Sequence, residues 1–195
     1  MLRNIYKQSG VGDLEDYAYI LDHLPQGLPD ERRFKREPIA FGLGENEFKI
    51  LELIPKENII LEIGTKVYIG KDMDKRDKVL HVKRRVRYED ITNTAQNELS
   101  YVISEIVKNN EERFVKFFNE AQAISTRFHM LELLPGLGKK TMWSIIDERK
   151  KAQFESFKDI GERVHSLHQC ERLICKRIEL ELSDPTQKYH LFVTK

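Results

Sequence analysis

The residues with the most chemical promise are Leu134-Pro135-Gly136-Leu137-Gly138-Lys139-Lys140, where two glycines flank one apolar residue and two lysines follow at once. Gly136 and Gly138 permit backbone angles closed to other residues and let another backbone come close, while Leu137 between them can turn inward and pin the loop. Helix-period residues lie on both sides, so a helix is expected to begin near Lys139. The N–H groups of about residues 138–141 and the positive end of the helix dipole then face outward. Lys139, Lys140 and Thr141 add two charges and a hydroxyl at the same point, which suits a phosphate.

This pattern resembles the helix-hairpin-helix motif of DNA-repair, recombination and replication proteins. The resemblance implies a loop that grips one phosphate run without reading bases, with a monovalent cation on loop carbonyls. The stretch from Phe154 to Leu182 looks like a second, degenerate copy around Ser166-Leu167-His168-Gln169-Cys170, without the glycines and therefore suited to packing. The competing reading of the first hairpin is a tight turn that serves packing or a protein partner.

Two further basic clusters stand in the first half. His81-Val82-Lys83-Arg84-Arg85-Val86-Arg87-Tyr88 reads as a strand in which alternation sets Lys83, Arg85 and Arg87 on one face, with Arg84 at a barrel mouth or bulge. Adjacent like charges repel, which favours a polyanion site unless acidic residues on a neighbouring strand neutralise them. Arg32-Arg33-Phe34-Lys35-Arg36 falls in a long loop, where Phe34 among four cations could stack on a base.

Enzymatic readings are weaker. Lys139 or Lys140 with Asp159 imitates the spacing of helix-hairpin-helix glycosylases, but the first half supplies no helical lobe for a base pocket. His165, His168 and Cys170 do not converge at helical spacing and lack a fourth metal ligand. No nucleotide-hydrolase phosphate loop, nucleophile elbow or paired carboxylates are present. The expectation is a non-enzymatic protein without a resident cofactor.

The elements that must position these residues follow from periodicity. Strands are expected at Tyr17 to Leu24, Pro38 to Leu43, Glu47 to Ile54, Thr65 to Ile69 and Val79 to Tyr88, the set of a small five-stranded barrel of the oligonucleotide-binding type. After Asp90 the period becomes helical. Thr94 can cap a helix carrying Leu99, Val102, Ile103 and Ile106; Phe114, Phe117, Phe118 and Ala121 form the next stripe. Phe128, Leu131 and Leu134 lead into the hairpin, Met142, Ile145 and Ile146 leave it, and two more helices run from Ser156 and through Cys170 to Leu182. Tyr189 to Thr194 is a strand candidate expected to return to the barrel or to a neighbouring chain. The fold class is thus α+β, divided into a flexible leader (1–16), a barrel (17–90), a helix-hairpin-helix domain (91–184) and a C-terminal strand (185–195).

Composition bounds the partners. The chain has 195 residues, 40% of them hydrophobic and 33% charged, and shows no apolar run of membrane-spanning length. Thirty-three basic residues face 32 acidic ones, with 17 of each up to Asp90, so any polyanion site is a local patch. Cys170 and Cys175, five apart on a helix, point to different sides and read as buried thiols of a reducing compartment, and the cytoplasm is the expected location.

The order of barrel then hairpins, with Ala18-Tyr19-Ile20-Leu21-Asp22, Arg36-Glu37-Pro38-Ile39-Ala40, Val82-Lys83-Arg84-Arg85, Phe114 to Glu120 and Leu131 to Met142, resembles the archaeal family called domain of unknown function 655, whose label proposes RNA binding. The resemblance implies an oligonucleotide-binding-type barrel and a nucleic-acid role, and no reaction. The reading from the residues is a protein that holds an RNA or DNA backbone, alone or within a larger nucleic-acid-processing complex. Its rival is a protein-interaction adaptor that uses the hairpin domain for packing.

Overall fold

Along the first strand, neighbouring side chains are buried in two different places. β1 (Tyr17–Leu24) sends Ala18 and Ile20 into an apolar cluster with Leu51, Leu53, Leu61, Val67 and Val79. It sends Tyr19 and Leu21 into a second cluster that continues through the helices. Strand side chains alternate between faces, so a sheet covered on both sides reads as an unbroken apolar run. β2 (Ile39–Gly44) and β3 (Ile50–Pro55) are buried along their whole length for this reason.

The computed structural model describes residues 15–28, 37–167 and 169–194. Of the expected leader only Glu15 and Asp16 are included, and Arg32, Arg33, Phe34, Lys35, Arg36 and His168 lie outside the described residues. With β4 (Lys66–Tyr68) and β5 (Val79–Arg85), the strands form one antiparallel sheet in the order β4-β1-β2-β3-β5. The sheet curls, but among the described residues β4 and β5 do not pair, so the expected small barrel is corrected to a half-barrel. Arg76 shows why. Its guanidinium donates to the carbonyls of Ile69 (3.0 Å), Gly70 (2.8 Å) and Leu80 (3.1 Å), engaging backbone acceptors on both sides of the gap with a side chain instead of a ladder.

α1 (Asn93–Asn109) lies between β1 and α5 (Cys170–Ser183), and α2 (Glu111–Glu120) follows it. The cap of α1 is Thr92 and not Thr94: its hydroxyl accepts from the Ala95 N–H (3.1 Å) and donates to Asp22 (2.5 Å), fastening the helix to β1. The change of period near Asp90 is a real change from strand to helix. It is not a break in packing, because one apolar cluster joins Tyr19, Phe41 and Ile50 of the sheet to Val102, Phe114 and Ile174 of the helices.

Two expectations fail locally. Phe128, Leu131 and Leu134 do not form a helix; β6 (Ala123–Ser125) and β7 (Phe128–His129) make a small hairpin, followed by a 3-10 turn at Met130–Leu133. His129 and Glu132 enforce that turn reciprocally, the imidazole accepting from the Leu131 N–H (3.1 Å) and the carboxylate from the His129 N–H (2.8 Å). The segment Tyr189 to Thr194 packs inward but forms no strand. The Glu181 carboxylate takes the N–H groups of Leu191, Phe192 and Val193, and the Thr194 N–H bonds the backbone beside the sheet, at Glu47 (3.1 Å).

Cys170 and Cys175 are free thiols, pushed up by burial to about 12 and about 11. No helix among the described residues is long and apolar enough to cross a membrane.

Candidate nucleic-acid interface

The hairpin is fixed from below by a buried ion pair. Arg177 and Glu181, one turn apart on α5, meet at 2.7 Å with almost no exposure. Arg177 also donates to the carbonyls of Leu133 (3.2 Å) and Tyr189, so one guanidinium joins α5, the tail and the residue that precedes the loop. From there Leu134 and Leu137 are buried, and the Leu137 N–H closes onto the Leu134 carbonyl (3.1 Å).

The two glycines have different roles. Gly136 sits at φ +89°, in the left-handed region where a side chain is strained. Gly138 sits at φ −83°, open to any residue, and a Cβ there would have no neighbour within 4 Å. The fold does not need glycine at 138. What its absent side chain leaves is a clear approach to the start of α3 (Lys139–Lys151), where Gly138 is the N-cap and no side chain caps the helix. The first helical bond runs from the Met142 N–H to the Gly138 carbonyl (3.0 Å), so the N–H groups of residues 139–141 have no acceptor within the helix. Lys139 and Lys140 are exposed, and among the described residues neither side chain is engaged in an ion pair or hydrogen bond.

A second turn lies beside the first. α4 (Phe157–Arg163) and α5 are joined through Val164 to Gln169, where Leu167 is buried and its N–H closes onto the Val164 carbonyl (2.8 Å), as Leu137 does onto Leu134. The Thr141 hydroxyl bonds the Ser166 hydroxyl (3.1 Å), which brings this turn against the first residues of α3. Arg163 secures the pairing from the other end of α3, donating to the carbonyls of Glu148 and Ala152 while lying over the Phe154 ring.

The basic strand is built differently. β5 ends at Arg85, and its register slips opposite Glu52 and Leu53, which pair with Arg84 and Val82. Lys83 is the extra residue of that bulge, and the simple alternation of Lys83, Arg85 and Arg87 is lost. Lys83 and Arg84 both converge on Glu52 at 2.7 Å, and that carboxylate is 1% exposed. Burial acts to raise the Glu52 pKa, but the bonds and charges of Lys83 and Arg84 outweigh it and hold the group below the usual carboxylate range. Arg85 donates to the Thr194 carbonyl. Arg87, beyond the strand, pairs with Asp90 and Glu89.

Residues 14–194 match the family described as "Protein of unknown function (DUF655)". The chain belongs to this family. It is 54% identical over 180 residues to the uncharacterized protein MJ0038 of Methanocaldococcus jannaschii, covering 92% of this chain and 80% of that one. It is 49% identical to Af1531 of Archaeoglobus fulgidus, whose crystal structure it matches with a TM-score of 0.84 over 92% of this chain and 100% of the other.

In this DUF655 protein, then, the hairpin residues Gly136, Leu137, Gly138, Lys139, Lys140 and Thr141 are gathered at one helix start. Lys83, Arg84, Arg85 and Arg87 lie together at the end of β5, with partners inside the protein. Asp159 is occupied as well, paired with Arg163 (3.1 Å) within α4. Sequence reasoning missed two features. The Arg177–Glu181 pair could have been suspected from charges at i and i+4 on the apolar side of a helix. Trp143, 57% exposed on α3, could have been found by asking which large aromatic falls outside the stripe of Met142, Ile145 and Ile146.

Proposed function

We propose that this protein is a non-enzymatic nucleic-acid-binding module that grips an RNA or DNA backbone at Gly136 to Thr141. One observation carries the reading: α3 begins without a capping side chain, beside two ammonium groups that the described protein leaves unengaged. A phosphate there meets the helix dipole and both charges at one point, each interaction contributing roughly 0.3–1 kcal/mol at an exposed site. On this reading the two turns are a helix-hairpin-helix pair in which the 3-10 turn Met130–Leu133 stands in for the first helix of the first copy, the second copy packs against it, and a monovalent cation on the loop carbonyls belongs to the motif. The curled sheet is an oligonucleotide-binding-type barrel left open at one seam, from whose end Arg85 and Arg87, already partnered inside the protein, make only a secondary contact.

The test is the affinity of the full chain for a labelled oligonucleotide at about 50 and 200 mM salt. Gly138→Val has an allowed backbone and free space, so it folds, and it is expected to lose binding by about tenfold or more, the scale of one or two charge-assisted contacts. If the folded variant binds like the parent, the hairpin is a packing turn.

The adaptor reading has one observation of its own. Ile60, Ile63 and Tyr101 are exposed, and Gly64 lies under the Tyr101 ring (3.7 Å from its Cβ position), which sets the β3–β4 loop beside α1 as a small apolar patch. Binding to a protein partner through this patch is insensitive to salt, whereas backbone binding is not.

A further inference from the structure

We propose that Trp143 is a base-stacking contact and that the hairpin site therefore takes unpaired nucleotides in preference to uniform duplex. This rests on the hairpin reading above, but the observation that carries it is the exposed indole and not the helix start. Trp143 is the one tryptophan of the chain, and 57% of it is open to solvent although Met142, Ile145 and Ile146 on the same helix are buried. Large aromatic side chains gain by burial, so an indole more than half in water leaves much of that gain unclaimed by the described residues. Among those residues it makes no ring contact, cation–π contact or hydrogen bond.

Its position supplies the occupant. Trp143 follows Lys140 by three residues and Lys139 by four, which places all three on neighbouring positions of one helix surface. The Cα–Cβ bond of a helical residue tilts toward the N-terminus, so the indole leans back over the turn that carries the lysines. One turn further on, Asp147 is paired with Lys150 (3.2 Å), so the charges next to the indole on that side cancel. A strand whose phosphate lies at Gly138 to Lys140 thus has an aromatic face about one helical turn away, ~6 Å along the axis for four residues. This is the combination of cationic track and stacking platform that single strands use; in a continuous duplex the base faces are covered by their neighbours.

The single tryptophan makes the test direct, because emission excited beyond the tyrosine absorption band reports this residue alone. The full chain is titrated with a labelled oligo(U), an oligo(dT) and a duplex of the same length, reading anisotropy for binding and indole emission for stacking. The expected result is quenching that saturates together with single-strand binding. The duplex should bind more weakly and quench little. Trp143→Ala should lower single-strand affinity by about thirtyfold, the middle of the range for one stacked base. Trp143→Phe should recover most of that loss, and neither variant should change the salt slope. Equal response to oligo(U) and oligo(dT) means that the base face is read without the sugar. The proposal is overturned if Trp143→Ala binds single strands like the parent, or if emission is unmoved at saturating single strand. It is also overturned if duplex binds and quenches equally. Lys139→Ala with Lys140→Ala, run in parallel, separates the two layers: loss of binding there with none in Trp143→Ala removes the stacking contact and leaves the hairpin reading standing.

Discussion

Two parts of the molecule are basic in sequence and opposite in the state of their charges. From Lys83 to Arg87 four cations fall within five residues, yet each has a partner in the protein: Glu52 for Lys83 and Arg84, the Thr194 carbonyl for Arg85, and Asp90 with Glu89 for Arg87. At the hairpin there are only Lys139 and Lys140, and neither has one among the described residues. The denser cluster closes the fold at the strand end, and on the proposed reading the sparser one is left for an outside anion. Availability, not number, distinguishes a polyanion site from a salt-bridged strand, and availability depends on acidic residues far away in sequence.

The comparison breaks most severely if the support under the hairpin is removed. Arg177→Met leaves the Glu181 carboxylate buried without its cation and frees the Leu133 carbonyl. Loss of one partner from a buried pair costs about 3–5 kcal/mol, so urea unfolding should shift to a much lower midpoint. A midpoint equal to the parent's would mean that the tail N–H groups alone satisfy Glu181.

Glu52→Gln attacks the other side. Lys83 and Arg84 remain within reach of water, so the loss is smaller, about 1–2 kcal/mol. With their partner neutralised, both cations become available and oligonucleotide affinity should rise, making the strand end resemble the hairpin. Unchanged or weaker binding by the folded variant would show that strand geometry, and not the carboxylate, withholds those charges.

Acid should weaken both regions in two separate windows. Burial, and then the nearby Arg149 charge, holds the His129 imidazole below its ordinary range, so its stabilising contribution is present above that range and is lost as pH falls through it. His23, lowered mainly by its burial, titrates with the same sign in the sheet. The Glu52 contribution has that sign too but disappears at lower pH, as pH falls below the ordinary carboxylate range. Unfolding midpoints followed by amide signals of Leu131 and Leu61, the N–H groups bonded to the two imidazoles, should assign the first window. His129→Gln, which keeps an acceptor, should flatten the Leu131 response alone.

Much of this contrast was beyond a one-dimensional reading, and the reasons are local. Five strands were legible from β-branched runs and turn residues, and the helix start at Lys139 from its glycines. The half-barrel was not, because the donors of Arg76 lie in a charged loop whose side chain gives no periodic signal. The helical stripe from Phe128 to Leu134 was misleading because an imidazole and a carboxylate three residues apart favour a 3-10 turn over continuation of a strand or an α-helix. The neutralisation of Lys83 and Arg84 was foreseeable only as a possibility of sheets: Glu52 stands amid the apolar run Ile50 to Pro55, and register decides which residues face it. The unusual backbone angle expected of both hairpin glycines belongs to Gly136 and not to Gly138.

The smallest effect on stability accompanies the sharpest test. Lys139→Ala with Lys140→Ala and the triple replacement of Lys83, Arg85 and Arg87 by Ala should be compared as folded full chains, measuring the slope of log affinity against log salt for one oligonucleotide. The lysine pair is solvent-exposed and should change stability by no more than ~0.5 kcal/mol. If each ammonium meets one phosphate, losing both lowers the slope by about 1.8 for a double strand and about 1.4 for a single strand. The account predicts that the two-residue change at the hairpin reduces the slope more than the three-residue change on the strand. A larger reduction from the strand variant, with the hairpin variant indistinguishable from the parent, would contradict it.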